Sequence, residues 1–230
     1  FIAGADISEF GKPMQDPGLP SVVDQYENCD KPIVAAIHGT ALGGGLETAL
    51  GCHYRVALSS TKVGLPEVKL GLLPGAGGTQ RLPRLTGAQK ALEMITSGEF
   101  VGAKDALALG IVDAVEDGND IKAVGLAYAQ NIADEGKPVR RVRDLTDKLE
   151  ADKGSEVFEQ FRAGLQKKAR GQFSPFKCVD AVEAAFSLPF EDGMKREREL
   201  FMECMESPQR AGLIHAFFAE REVSKVKGLP

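Results

Sequence analysis

Long apolar runs, paired cysteines, tryptophan and an excess of basic charge are all missing from this sequence. No apolar segment approaches the roughly 18 residues that a membrane-spanning helix needs, which argues against a bilayer span. Four cysteines, at 29, 52, 178 and 204, lie far apart with no CxxC pair. A zinc knuckle or redox pair is therefore not expected, and free thiols fit a reducing compartment. A net charge of −5 leaves no basic footprint for nucleic acid. His38, His53 and His215 show no metal-ligand spacing, and no metal is expected. There is no G-x-S-x-G elbow and no Gly-Lys-Ser/Thr of a P-loop.

What is present is an ordinary globular mixture, 43% hydrophobic and 27% charged over 230 residues. That length suits one large domain, or one domain plus an appendage, and needs no disulfide or metal to fold. The chain opens on Phe1-Ile2-Ala3-Gly4-Ala5-Asp6 without an initiator Met or approach strand, and closes like a linker on Lys227-Gly228-Leu229-Pro230. The expectation is a piece of a larger polypeptide that lacks the N-terminal part of its fold.

Two-thirds of the chain alternates short apolar runs with helical patterns, which implies an α/β fold. Pro32–Ile37, Tyr54–Leu58 and Ile111–Val115 read as strands. Thr86 is placed to cap a helix through Ala91–Ile95 that stops at Gly98. Residues 103–109 form a second helix, ended by Gly110, and Asp120 caps a third over about 121–134. A boundary at residues 136/137 divides this α/β part, 1–136, from a helical part, 137–230. Lys137–Arg170 holds ten basic and six acidic residues. It reads as a solvated helical surface or as a patch facing an anion. Helices follow over 177–187, 192–205 and 208–223, with Ser207-Pro208 at the start of the last.

The 26 glycines cluster. Ala3-Gly4-Ala5-Asp6 lets backbone N–H groups approach a ligand closely. Gly43-Gly44-Gly45 lies between a strand and a helix, where orphan N–H groups and the helix dipole favour negative charge. The third cluster is Pro74-Gly75-Ala76-Gly77-Gly78-Thr79-Gln80, read as a structural turn. None fits G-x-G-x-x-G, which fails at Gln80 in one cluster and at Thr48 in the other. Donors without a nucleophile suit a developing oxyanion. The remaining reactive groups are carboxylates: Glu47, two residues past the triplet, and Glu67 in Gly64-Leu65-Pro66-Glu67. Singly, Glu47 reads as a first-turn acid and Glu67 as a loop charge. Beside such donors they suggest acid/base chemistry at an enolate.

These stretches together resemble the crotonase, or enoyl-CoA hydratase/isomerase, superfamily. The resemblance is carried by Phe1–Ile7, by His38-Gly39-Thr40-Ala41-Leu42-Gly43-Gly44-Gly45-Leu46-Glu47 and by Leu65–Arg81, and it continues through Gly110-Ile111-Val112-Asp113. It implies a spiral of ββα units with a C-terminal helical, trimer-forming region. It also implies an oxyanion hole from the Ala5 and Gly44 N–H groups, with Glu47 as base toward water and Glu67 as proton donor to C2. The thioester and its CoA would lie along Ala3, Gly4, Asp6, Ile7, Leu42, Gly43, Pro66, Pro74, Gly75 and Phe201. No separate cofactor is implied, because CoA is part of the substrate. The implied activity is hydration of trans-2-enoyl-CoA to 3-hydroxyacyl-CoA in fatty-acid β-oxidation. Δ3,Δ2-enoyl-CoA isomerisation on the same site, or a non-catalytic acyl-CoA-binding or assembly role, are the alternatives.

The segment from Lys137 to Pro175 and the tail are similar to multifunctional fatty-oxidation enzymes, in which a 3-hydroxyacyl-CoA dehydrogenase domain follows. Where single-function members carry a CoA-binding lysine on the last helix, this chain has Glu220 beside Arg221. The final residues are not Ser-Lys-Leu, and a bacterial cytoplasmic setting is expected over a peroxisomal one.

Overall fold

The β-branched run Val34–Ile37 forms β1 and pairs in parallel with β3, Tyr54–Leu58, in the register Val34 to Tyr54. Every residue of β3 is buried, as expected of a parallel strand covered on both faces. These details come from a computed structural model, which describes residues 1–7 and 16–223. β6, Ala114–Glu116, continues the sheet in the order β1-β3-β6, all parallel. A second small sheet joins β2 (Thr40–Leu42), β4 (Lys62–Gly64) and β5 (Val101–Gly102). β2 and β4 are parallel, and β4 and β5 antiparallel.

Twice the chain passes from a strand of the first sheet to one of the second and then into helix. This is the expected ββα repeat. After β1 and β2 comes α2, Gly44–Gly51, packed on α1, Leu19–Glu27. After β3 and β4 come a 3₁₀ turn, Pro66–Leu70, and then α3, Gly78–Thr86, and α4, Ala88–Ser97. α5, Ala103–Ala108, precedes β6, and α6, Ile121–Asp134, follows it, with the Asp120 side chain accepting from the Ala123 N–H as expected.

The helical segment adds α7 (Asp147–Ala151), α8 (Val157–Lys168), α9 (Ser174–Ser187), α10 (Phe190–Glu206) and α11 (Pro208–Val223). α9 packs against α3, α4, α8 and α10. Its Val179 and Val182 join Phe158, Leu165, Leu200 and Cys204 in one cluster with Leu46, Leu50, Leu82 and Leu92. Burial at roughly 25 cal/mol per Å² of apolar surface makes this shared cluster the main force seating the helices on the sheets.

Three readings from the sequence need correction. Thr86 ends α3 instead of capping α4; its hydroxyl bonds back to the Leu82 carbonyl, and the Ala88 N–H is taken by Oδ2 of Asp152 at 2.7 Å. The strand expected over Ile111–Val115 begins only at Ala114, because the Ile111 and Val112 N–H groups close a turn onto the Ala106 carbonyl. The basic run is neither a plain solvated face nor wholly turned toward a foreign anion. Arg140 bonds Asp113, Arg141 the Glu27 carbonyl, Arg143 bonds Glu27, Asp24 and Glu191, and Arg162 bonds Asp180 and Glu183, so several of its members are consumed internally.

Candidate active site

The N-terminal strip runs alongside the β1–β2 turn. The Phe1 ammonium donates to the His38 carbonyl and the Leu42 N–H to the Ile2 carbonyl, at 3.1 Å. The Gly45 Cα faces the same carbonyl so closely that a Cβ there would lie 2.0 Å from it. The strip Ala3–Asp6 is thereby carried past the start of α2, with Gly4 over the Leu42 carbonyl. Ala3, Ala5 and Asp6 are exposed, and Ile7 is half-buried.

Gly43 precedes α2 with φ +54° and ψ −127°, which glycine alone adopts without strain. Its carbonyl receives the Glu47 N–H and opens the helix, while its own N–H donates to Gly64 on β4. The next N–H groups, Gly44 first, belong to the first helical turn and have no intrahelical partner. No backbone bond engages the Ala5 N–H among the described residues.

Glu47, in the first turn of α2, is 3% exposed. Its Oε1 accepts the Ala76 and Gly78 N–H groups, at 2.7 and 2.8 Å. The third glycine cluster is therefore more than a turn, since it binds this carboxylate. Glu67 sits in the 3₁₀ turn with Pro66 leading it. Its Oε1 would stand only 2.8 Å from a Cβ on Gly43. Its Oε2 is sealed from solvent and has no hydrogen-bond partner among the described residues. Pro74 packs on Gly78, and the Phe201 ring on Gly75, so these residues converge on the same loop.

The two carboxyls differ in environment. Burial raises Glu47 above its ordinary value, while the two N–H donors and the Arg81 charge oppose it. Glu67 is raised well above its ordinary value by burial, then by the Glu47 charge and by Glu197. Of two coupled acids, the one without outside donors keeps the proton. Of the two, Glu47 is therefore the better placed to carry charge and Glu67 to keep a proton, the division of a base and an acid.

Sequence reasoning missed Glu197, 1% exposed on α10. It accepts the Gly77 N–H at 2.7 Å, the Thr79 N–H at 3.0 Å and the Thr79 hydroxyl. Burial and the Glu47 charge push it up to about 8 against those donors. It hides in the charged run Arg196–Glu199, but its spacing from Gly193, Leu200 and Cys204 puts it on the buried face of α10.

Sequence reasoning also missed Arg81 and Glu27, both about 1% exposed and paired at 2.6 Å. Arg81 donates to the Ala76 carbonyl, so one guanidinium braces the loop whose N–H groups hold Glu47. Burial would raise Glu27, but hydrogen bonds and charge from Arg81, with bonds from Arg143, outweigh it and hold the carboxyl low. The Phe190 ring is flanked by Arg81, Arg84 and Arg143, at 4.7–5.0 Å from guanidinium to ring centre.

Other expected residues lie apart from this cluster. His53 is buried with both ring nitrogens committed, Nδ1 accepting from Ile33 and Nε2 donating to the Glu27 carbonyl, which makes it a structural histidine. Arg221 lies over the Phe217 ring on α11, with Glu220 exposed beside it.

The family model for enoyl-CoA hydratase/isomerase matches residues 1–175. Among curated proteins, the peroxisomal bifunctional enzyme of Danio rerio is 48% identical over 227 residues, covering 98% of this chain and 31% of that protein. The peroxisomal fatty acid beta-oxidation multifunctional protein of Arabidopsis thaliana is 37% identical over 239 residues, covering 100% of this chain and 33% of that protein. The chain thus spans about a third of the length of the curated relatives it matches. A solved enoyl-CoA hydratase subunit I from Geobacillus kaustophilus is 31% identical with a TM-score of 0.53, covering 96% of this chain and 74% of that one. The peroxisomal relatives overturn the bacterial cytoplasmic setting expected from the sequence.

Proposed function

This chain belongs to the enoyl-CoA hydratase/isomerase family, and on that premise we propose that it hydrates trans-2-enoyl-CoA to 3-hydroxyacyl-CoA in fatty-acid β-oxidation, as one section of a longer multifunctional protein. The division of charge between Glu47 and Glu67 carries this reading. Two N–H donors on Glu47 favour its charged form, and the unengaged buried oxygen of Glu67 favours its protonated form.

Water held between the two carboxyls gives a proton to Glu47 as its oxygen bonds to C3 of the enoyl thioester. The C2–C3 double-bond electrons move toward the thioester carbonyl, whose oxygen takes negative charge opposite the Ala5 and Gly44 N–H groups. Collapse of this enolate takes the Glu67 proton onto C2. Substrate gains one water, and the carboxyl pair ends with its proton on Glu47. Exchange with solvent returns that proton to Glu67. CoA enters as part of the substrate, with Leu42, Pro74, Gly75 and Phe201 shaping its approach.

Isomerisation is the second reading, favoured by the unpartnered Glu67 Oε2. Glu67 alone would carry a proton between C2 and C4. The test is turnover of crotonyl-CoA and a longer 2-enoyl-CoA by Glu47→Gln and Glu67→Gln. Each should lose about 10²–10⁴-fold in kcat, the usual worth of a positioned acid or base. Wild-type turnover in either variant overturns the two-carboxyl mechanism. Assembly as a trimer belongs to the same reading, and the exposed apolar residues Leu213, Phe218 and Val223 on α11 suit a partner surface. Sedimentation of the purified protein tests it.

A further inference from the structure

Four consecutive N–H groups of the glycine loop divide between two carboxylates. Those of Ala76 and Gly78 go to Glu47, and those of Gly77 and Thr79 go to Glu197. The two acids grip one peptide strip, one from α2 and the other from α10, more than a hundred residues further along the chain.

The grip belongs to a matched face of α10. Gly193, Glu197 and Phe201, spaced four apart, lie on one side of the helix. A Cβ on Gly193 would stand 2.2 Å from Gln80 Oε1, and one on Gly75 would stand 2.7 Å from the Phe201 ring. Glu197 lies between them and also takes the Thr79 hydroxyl. The loop therefore has no room to shift along α10, and Glu197 supplies the hydrogen-bonded fastening at its centre.

We propose that Glu197 is a positioning residue for Glu47: by holding the Gly77 and Thr79 N–H groups, it fixes the angle at which Ala76 and Gly78 present theirs to the catalytic carboxylate. A carboxyl suits the task because both of its oxygens can accept from the strip. A glutamine would turn an NH₂ toward one of three donors and push the strip away. Both Glu197 oxygens are spent on the loop, so it sets the base through the loop.

The activity arm rests on the hydratase reading above, whereas an amide-exchange arm does not. In Glu197→Gln, the Ala76 and Gly78 amides, which Glu197 never touches, should lose at least about tenfold in exchange protection. The kcat for crotonyl-CoA hydration should fall about 10–100-fold with KM within twofold, the effect of a misplaced base in an intact binding site. Protection lost only at Gly77 and Thr79, or a wild-type kcat, overturns the proposal. If the wild-type protein hydrates no enoyl-CoA, the hydratase reading fails and the exchange pattern alone decides the role of Glu197. Should Glu197→Gln not fold, Thr79→Val removes the hydroxyl that donates to Glu197, and with it the acceptor of Gln80 Nε2, and is read the same way. It should lower kcat about three- to tenfold and loosen the Ala76 and Gly78 amides, and unchanged values in both overturn the proposal.

Discussion

A Cβ atom on Gly43 would stand 2.8 Å from Oε1 of Glu67. The relation repeats across the site, where a Cβ on Gly78 would stand 2.9 Å from Oε1 of Glu47. Each carboxylate thus has a glycine where any side chain would displace it. Close approach of backbone to carboxyl explains why glycines and acids occur together in this sequence without forming a phosphate-binding pattern.

Gly43→Ala should therefore damage the site twice. The backbone at φ +54°, ψ −127° is strained for any L side chain, at a cost of about 1–3 kcal/mol. The methyl group would also drive Glu67 from its position. We expect a thermal midpoint lower by about 2–4 °C per kcal/mol and hydration slowed by about 10²-fold. A variant that keeps wild-type kcat would mean that Glu67 need not stay where the structure puts it.

The pH profile of hydration should be bell-shaped, with both limbs set by the coupled pair. Activity needs Glu47 ionised and Glu67 protonated. Glu47 is raised by burial, so the acid limb should lie above the ordinary carboxyl value of 4.5. Glu67 is raised further, by burial and by the Glu47 charge, so activity should persist upward until that proton leaves. The two apparent values belong to the pair. Recording kcat against pH in Glu67→Asp, which keeps a carboxyl but moves it, should shift the alkaline limb. An unchanged limb would assign that proton elsewhere.

Legibility in the sequence followed range. β1, β3 and α6 were readable because their signals are local: short, largely apolar runs in the first two, and Asp120 capping its own helix in the third. Glu47, Glu67 and the glycine triplet were readable for the same reason, since a strand–glycine–helix junction is a continuous stretch. α3 was not read, because Gly78 and Pro83 look like helix breakers. Its loop is braced by Arg81, whose partner Glu27 comes from α1. The cap of α4 was misread because the oxygen that fills it belongs to Asp152, distant in sequence. Glu197 escaped because alternating charges mask a buried face unless the apolar positions around it are counted.

The Glu27–Arg81 pair should matter more to folding than to chemistry. Removing one partner of a buried ion pair typically costs about 3–5 kcal/mol, because the other charge is left uncompensated. Glu27→Gln should destabilise the protein by that order at neutral pH, as read by denaturant unfolding. The sign with pH follows from the lowered carboxyl. Its contribution is present in full above 4.5 and is lost as pH falls through the lower folded value. The gap between wild type and variant should therefore narrow on acidification. A gap that stays constant would show that the hydrogen bonds, and not the charge, carry the effect.

Glu197 should show the opposite sign. Its folded carboxyl is pushed up to about 8 from an ordinary 4.5, by burial and then by the Glu47 charge. Between those values the folded protein holds a proton that the unfolded chain has released. Stability must therefore fall as pH rises across that window, and level off above it. Glu197→Gln carries no such proton, so its unfolding free energy relative to wild type should climb from pH 5 to pH 8, whatever fixed penalty the lost acceptor imposes. The slope of the difference, measured by urea unfolding at several pH values, isolates this carboxyl from the other raised acids, which both proteins share. A flat difference would mean that the three donors on Glu197 keep it ionised throughout. The strip between α2 and α10 would then be held by two anions, Glu47 and Glu197, at every working pH.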